Sequence, residues 1–253
     1  MAPLAATSSG SAPPRVREAT LHRVPVSPRD LEDHRPLVAP EFVEEVRDLA
    51  AELRGVRVAQ VSSTAMGGGV AELLQSLVPL ELGLGIGVEW RLLCPDDRLF
   101  DATKHLHNAL QGRREPLTSE QIAVYEERNA HCGPMLGQGL DIALIHDPQP
   151  AYLRLAVPDA AERWIWRCHI DTQDPEPAAW AYLGQIVSGF DRAVFTLPKF
   201  VPADFPVPGR DRRAGHRRAL HEERRHAPGG RPGRRREVRP RPRPSPRRPG
   251  RAL

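Results

Sequence analysis

Between Ala39 and Gly55, Phe42, Val43, Val46, Leu49, Ala50 and Leu53 recur at regular intervals. That is the spacing of one face of an α-helix, and Gly55 supplies its stop. The period then changes. "VRVAQVSST" alternates and is β-branched, which predicts a strand, and the three glycines Gly67, Gly68 and Gly69 predict a turn. "VAELLQSLVPLELG" returns to the helical period, with Val70, Leu73, Leu74, Leu77 and Val78 on one face. "GVEWRLLCP" reads as a second strand, "DDRLFDATKHLHNALQG" as a helix, and "TSEQIAVYEERNAHCG" as another helix opened by a Thr or Ser cap ahead of Glu or Gln. "DIALIHDPQP", "WIWRCHID" and "AVFTL" are short apolar runs that end in polar residues, the last after the helical "PAAWAYLGQIVSGFD". Nearly all-apolar strands alternating with helices predict an α/β fold, a Rossmann-like parallel sheet with helices on both faces, over residues 37 to 207.

Composition changes the picture at the ends. Residues 1 to 36 are rich in Ala, Ser, Pro and Arg without sustained periodicity, and are expected to be a flexible lead-in, part of it lying on the body. Residues 208 to 253 form an Arg/Pro-rich tail expected to be disordered. From Gly209 onward there are 17 Arg, no Lys and 4 acidic residues, a net of +13 against +4 for the whole chain, which leaves −9 for the rest. An acidic body argues against a nucleic-acid face on the main domain, leaving only nonspecific binding through the tail. Cys94, Cys132 and Cys168 are widely separated, with no C-x-x-C pair, as expected for free thiols in a cytoplasmic protein. No apolar run suggests a signal peptide or a membrane span.

In an open parallel sheet, ligands bind at the carboxyl ends of the strands, and the polar residues of this chain collect there. One strand runs out into "SSTAMGGGVAE", another into "HDPQP", a third into "RCHID". Gly67, Gly68 and Gly69 precede a helix, so their N–H groups and the helix N-terminus are placed to face an anionic or sugar group. A tight turn accounts for the same glycines, and neither G-x-G-x-x-G nor a Walker loop is present. His146 and Asp147 follow one strand, with Pro148 and Pro150 preventing its extension, and His169 and Asp171 follow the next. A polar site or a pair of structural histidines fits that pattern. No metal is expected, since neither H-E-x-x-H nor a Cys-rich cluster is present and His105 and His107 do not share a helix face. No G-x-S-x-G elbow supports a serine hydrolase. Arg167 and Lys199 are the cations best placed for phosphate, and Trp164, Trp166 and Trp180 are expected in the core.

Together "VSSTAMGGGVAELLQSLVPLELGLGIGVEWRLL", "FDATKHLHNALQG", "DIALIHDPQPA" and "WIWRCHIDTQDPEPAAWAYLGQIVSGFDRAVFTLPKFVPAD" resemble the N-terminal half of the retaining trehalose-synthesising glycosyltransferases, relatives of the trehalose phosphorylases. The resemblance implies one half of a GT-B enzyme that joins a nucleotide-activated glucose to glucose. It implies no cofactor, since the nucleotide sugar is a substrate. It places His146 and Asp147 beside the sugars as the catalytic pair, with His146 orienting and polarising. Gly67, Gly68 and Gly69, with Glu72, Gln149, Arg167, His169 and Asp171, are the implied substrate-binding residues. Front-side attack, with the departing phosphate helping to deprotonate the acceptor, is the implied route to retention.

The second, donor-binding half of that family has no counterpart here, because the chain turns into the arginine tail near Pro208. Three readings of the tail compete: a basic module for an acidic partner, plain disordered sequence, and a segment read out of frame. Composition and position favour the last. Read one nucleotide later, "AGHRRALHEERR" permits a segment of the form PAID-x-L-x-x-KN, which resembles the family's crossing to its second domain. The chain is therefore expected to be a truncated trehalose-pathway glycosyltransferase with little or no activity alone. The alternative is a non-catalytic sugar-binding protein whose tail holds an acidic partner or nucleic acid. The sequence leaves the oligomeric state open.

Overall fold

The computed structural model describes residues 18–205. The tail lies outside the described residues, as do residues 1–17 of the expected lead-in. Six strands form one sheet: β1 Thr20–Arg23, β2 Arg57–Ser62, β3 Gly87–Cys94, β4 Leu140–His146, β5 Ala161–Cys168 and β6 Arg192–Phe195. Their order is β1-β3-β2-β4-β5-β6. All neighbours are parallel except β1, which pairs antiparallel with β3. The helices are α1 Pro40–Ala51, α2 Gly69–Gly83, α3 Asp97–Leu110, α4 Ser119–Cys132, the single turn α5 Leu153–Ala156, and α6 Pro177–Val187.

The α/β reading and each element expected between residues 40 and 195 are found. α4 opens with a complete capping box, the Thr118 hydroxyl accepting from Gln121 N–H while the Gln121 side chain accepts from Thr118 N–H. Strand β1 is the departure at the start of the chain. Four residues of the expected lead-in join the sheet, because Leu21 and its neighbour Ala19 are apolar enough to be buried against the larger core.

Alternation along the strands divides the interior. Ala59 and Val61 of β2, Ala143 and Ile145 of β4, and Trp164 and Trp166 of β5 face the larger core, filled by α3, α4 and α6. Val58 of β2 and Val88 and Trp90 of β3 face a smaller one, completed by Leu74 and Val78 of α2 and Ala50 of α1. The tryptophans Trp164, Trp166 and Trp180 are buried, as expected.

Two helical faces are shallower than their periodicity suggests. In α1 only Val43 and Ala50 are buried, while Phe42 and Leu49 are more than half exposed. In α2 Leu73 is exposed, and Ala71 and Pro79 take its place in the interior. Periodicity reports which side of a helix is apolar, not how deep the helix lies. α1 is fastened at the rim by ions instead: Glu32 pairs with Arg35 and Arg47, and both arginines pair with Glu44.

Chain direction fixes where a ligand would go. From β2 the chain crosses by α2 to β3 on one side, then returns by α3 and α4 to β4 on the other. The order reverses between β2 and β4, and the carboxyl ends of strands at such a reversal are where open α/β sheets hold ligands in a crevice.

Candidate functional site

Four of the residues singled out in the sequence meet at those strand ends. β4 ends in His146, which pairs in register with Arg167 of β5. Asp147 then turns into the left-handed region at φ 62°, the only non-glycine to do so among the described residues. Three bonds hold it there. Its N–H donates to Arg167 O at 2.9 Å, its carbonyl accepts from Trp166 Nε1 at 3.0 Å, and its Oδ1 accepts from His169 N–H at 2.7 Å. Such a conformation costs an Asp about 1–3 kcal/mol and persists only when its surroundings over-determine it. Here the turn draws the end of β5 against the end of β4.

That closure brings two imidazoles edge to edge. The His146 and His169 rings lie 5.1 Å apart at 18°, with His146 Nδ1 2.8 Å from His169 Nε2. The other nitrogen of His146, Nε2, lies 2.7 Å from Oε1 of Gln60 on β2. Gln60 Nε2 in turn donates to both carboxylate oxygens of Glu81 on α2, at 2.9 Å each. Gln60 and His146 share a sheet face two registers apart, since Gln60 faces Leu144, so the amide reaches diagonally from β2 to the end of β4. Gln60 and His146 are buried, and His169 is half-buried.

Burial sets the charges. It lowers the His146 pKa to about 3, assisted by His169 and Arg167, and that of His169 to about 4, assisted by Arg167. Both rings are neutral at pH 7. Burial also raises Asp147 to about 6, opposed by the His169 and Ile170 backbone N–H groups and by Arg167. The Glu81 carboxyl is pushed up by burial and held back by the Gln60 amide.

The other candidates are placed differently. Gly67 and Gly68 have φ of +70° and +105°, which only glycine adopts without strain, and Gly68 is the N-cap of α2 without a side-chain cap. A Cβ on Gly67, Gly68 or Gly69 would meet nothing within 4 Å, so this loop has an open side. The loop leaves β2 beside the end of β4 and is braced by Gln75, whose Nε2 donates to Ala65 O at 2.7 Å. Glu72 is exposed in the first turn of α2. Gln149 turns toward α3 and α4, its Nε2 lying 3.4 Å from His107 Nδ1 and its carbonyl accepting from Asn129. Asp171 is exposed and accepts from Gln173 N–H within its own loop. Lys199 is exposed, 5.6 Å from the centre of the Phe200 ring.

Gln60 and Glu81 are the residues that motif reading missed. Their signal was present. Gln60 interrupts the apolar alternation of β2 on the face of Val58, and Glu81 continues the buried Leu74 and Val78 stripe of α2. A polar residue on a predicted core stripe needs a partner, and these two are each other's.

The three cysteines are free thiols, with Cys132 and Cys168 buried. Among the described residues no three His, Cys, Asp or Glu side chains are grouped to hold a metal ion, and no helix is long and apolar enough to cross a membrane.

Comparison with known proteins gives this geometry a family. Residues 60–202 match the family described as "Trehalose synthase, N-terminal domain". A trehalose synthase of Rubrobacter xylanophilus is 42% identical over 165 residues, 63% of this chain and 40% of its own length. One from Pyrococcus horikoshii is 38% identical over 175 residues, 68% of this chain and 42% of its own. A trehalose phosphorylase of Pleurotus sajor-caju is 31% identical over 202 residues, 70% of this chain and 27% of its own. The chain thus spans about two fifths of the length of the synthases it matches. The solved structure of an α,α-trehalose-phosphate synthase (UDP-forming) from Burkholderia vietnamiensis covers 57% of this chain and 41% of its own, at 17% identity and a TM-score of 0.43, a likeness too slight to build on. The family match extends from Gln60 on β2 to just past β6 and takes in the whole imidazole cluster, and by it this chain belongs to the trehalose synthase N-terminal domain family of trehalose-related glycosyltransferases.

Proposed function

We propose that the crevice between β2, β4 and β5 is the acceptor-side sugar site of a retaining glucosyl transfer from a nucleotide-glucose to glucose, one half of a GT-B arrangement. The observation that carries this reading is the neutral, hydrogen-bonded His146–His169 pair at the point where strand order reverses, beside a glycine loop with an open side. Neutral rings suit hydroxyl groups. A cationic pair would suit phosphate, and burial suppresses that form.

Both nitrogens of His146 are already engaged, so its part in the proposed site is to orient His169 rather than to attack a sugar. Asp147 sets the distance between the two strand ends through its bond to His169 N–H. Arg167 supplies positive charge at the same edge, and the uncapped N-terminus of α2 directs backbone N–H groups toward an oxygen-rich ligand. Stabilising the departing nucleotide is the larger electrostatic demand of such a transfer. The curated synthases are more than twice as long as the stretch they share with this chain, and we assign that demand to the part of their length outside it.

The purified 253-residue chain, titrated with glucose and with trehalose by calorimetry, is expected to bind sugar saturably. His169→Ala is expected to weaken that binding roughly tenfold, the value of one or two hydrogen bonds. The same chain given nucleotide-glucose and glucose is expected to form little or no trehalose. Absence of sugar binding, or equal binding by His169→Ala, overturns the site. Robust trehalose formation overturns the division of labour. A sugar-binding protein without catalysis in any context would bind equally well, and is separated by whether His169→Ala also lowers transfer in the Rubrobacter xylanophilus synthase at the aligned position.

A further inference from the structure

The bonds around Gln60 leave little freedom in where protons sit. A carboxylate only accepts, so Glu81, with both oxygens 2.9 Å from Gln60 Nε2, obliges the amide to turn its NH2 group toward α2. The amide oxygen must then face β4. An amide oxygen also only accepts, so His146 Nε2, 2.7 Å away, must carry a proton and donate it. A neutral imidazole with a proton on Nε2 has a bare Nδ1. That bare nitrogen lies 2.8 Å from His169 Nε2, which must be the donor. His169, itself neutral, is left with a bare Nδ1, and no described residue donates to it. Four side chains from α2, β2, β4 and the loop after β5 are thus ordered in one direction, each fixed by the one before.

We infer that Glu81 and Gln60 are positioning residues that lock the His146–His169 pair in the Nε2–H tautomer, so that the pair presents the bare Nδ1 of His169 as an acceptor for a hydroxyl group. A phosphoryl oxygen, which needs a donor, gains nothing from that nitrogen. The tautomers follow from the bonding together with the neutrality that burial imposes on both rings. The sugar hydroxyl as their ligand rests on the function proposed above.

A dry core would not need this arrangement. Replacing Gln60 and Glu81 with apolar residues of similar size would fill the same space but would leave the buried Nε2–H of His146 without its acceptor. What such a replacement would remove is the direction of the chain of donors.

The test is the histidine side-chain nitrogen spectrum of the full 253-residue chain, labelled with nitrogen-15 at its imidazoles. Signals are assigned with His146→Gln and His169→Gln, and long-range proton–nitrogen correlations report which nitrogen of each ring is protonated. Both rings are expected to be protonated at Nε2. In Glu81→Gln the new carboxamide both donates and accepts, so the Gln60 amide can reverse, and the Nδ1–H form of His146 is expected to rise roughly tenfold, the value of about one hydrogen bond. Glu81→Asp, which restores an acceptor without a donor, is expected to return the wild-type pattern. A proton on Nδ1 of His146 in the wild-type chain overturns the inference whether or not any variant folds, and so does an unchanged tautomer pattern in folded Glu81→Gln. Sugar titration of the same samples separates the two readings. Tautomers as expected with no glucose binding leave the positioning role standing and remove the hydroxyl ligand.

Discussion

At the scale of the residue, the imidazole pair and Asp147 pull stability in opposite directions as pH changes. The folded pKa values of His146 and His169 lie below the ordinary histidine value, so below pH 6.5 the unfolded chain binds more protons than the folded one. Their contribution is intact above that pH and is lost as pH falls toward 4. Asp147, raised from 3.8 to about 6, binds its proton more tightly when folded, and costs stability as pH rises through that window. Two rings outweigh one carboxyl. Urea unfolding is expected to show stability falling from pH 6.5 to 4, with a shallower limb in His146→Gln, which loses up to ~1.4 kcal/mol per pH unit of dependence. A steeper limb and a gain at pH 7 are expected in Asp147→Asn, which keeps an acceptor for His169 N–H and tolerates positive φ. At this scale the sequence was readable for residue type and place. His146, Asp147, Arg167 and His169 stand at strand ends because prolines or polar residues stop the strands there. Bond direction was not readable, because it depends on Glu81, 65 residues before His146 and on another element.

At the scale of the element, two glycines of α2 act for different reasons. Gly68 needs its positive φ but has open space around it, so Gly68→Ala is expected to cost only the backbone strain, about 1–3 kcal/mol, and to leave the fold intact. Gly83 has ordinary φ but no room. A Cβ there would stand 1.9 Å from Arg29 O, where the segment before α1 crosses α2 and Arg29 N–H donates to Pro79 O at 2.8 Å. Gly83→Ala must displace that segment and is expected to cost at least ~2 kcal/mol, with faster proteolysis near Arg29 as the second readout. The capping box gives a milder case, Thr118→Ala, expected to lose ~1 kcal/mol in thermal or urea unfolding. Helices and inner strands were visible in the hydrophobic pattern because they are long and periodic. Strand β1 was not, since four residues carry no period, and its pairing with β3 depends on the rest of the sheet.

At the scale of the whole molecule, β2 belongs to both cores, giving Ala59 and Val61 to one and Val58 to the other. Neither core can be lost without exposing the shared strand, so the two faces are expected to unfold together. Fluorescence of a chain retaining only Trp90, which reports the smaller core, should follow the same urea transition as one retaining only Trp164, which reports the larger; separate midpoints would show two independent units. The layout of the sheet bears on any fusion or permutation of the chain. Thr20, where β1 begins, pairs with Cys94 at the carboxyl end of β3, and Phe195, where β6 ends, pairs with Cys168 at the carboxyl end of β5. The chain therefore joins and leaves the sheet on the same edge as the imidazole pair, at opposite margins, five interstrand spacings or about 24 Å apart. A reporter spliced ahead of Glu18 would stand over the ligand side of the sheet rather than behind it, whereas one placed after Phe205 would follow a segment that folds back onto Trp166 and Trp180 of the larger core.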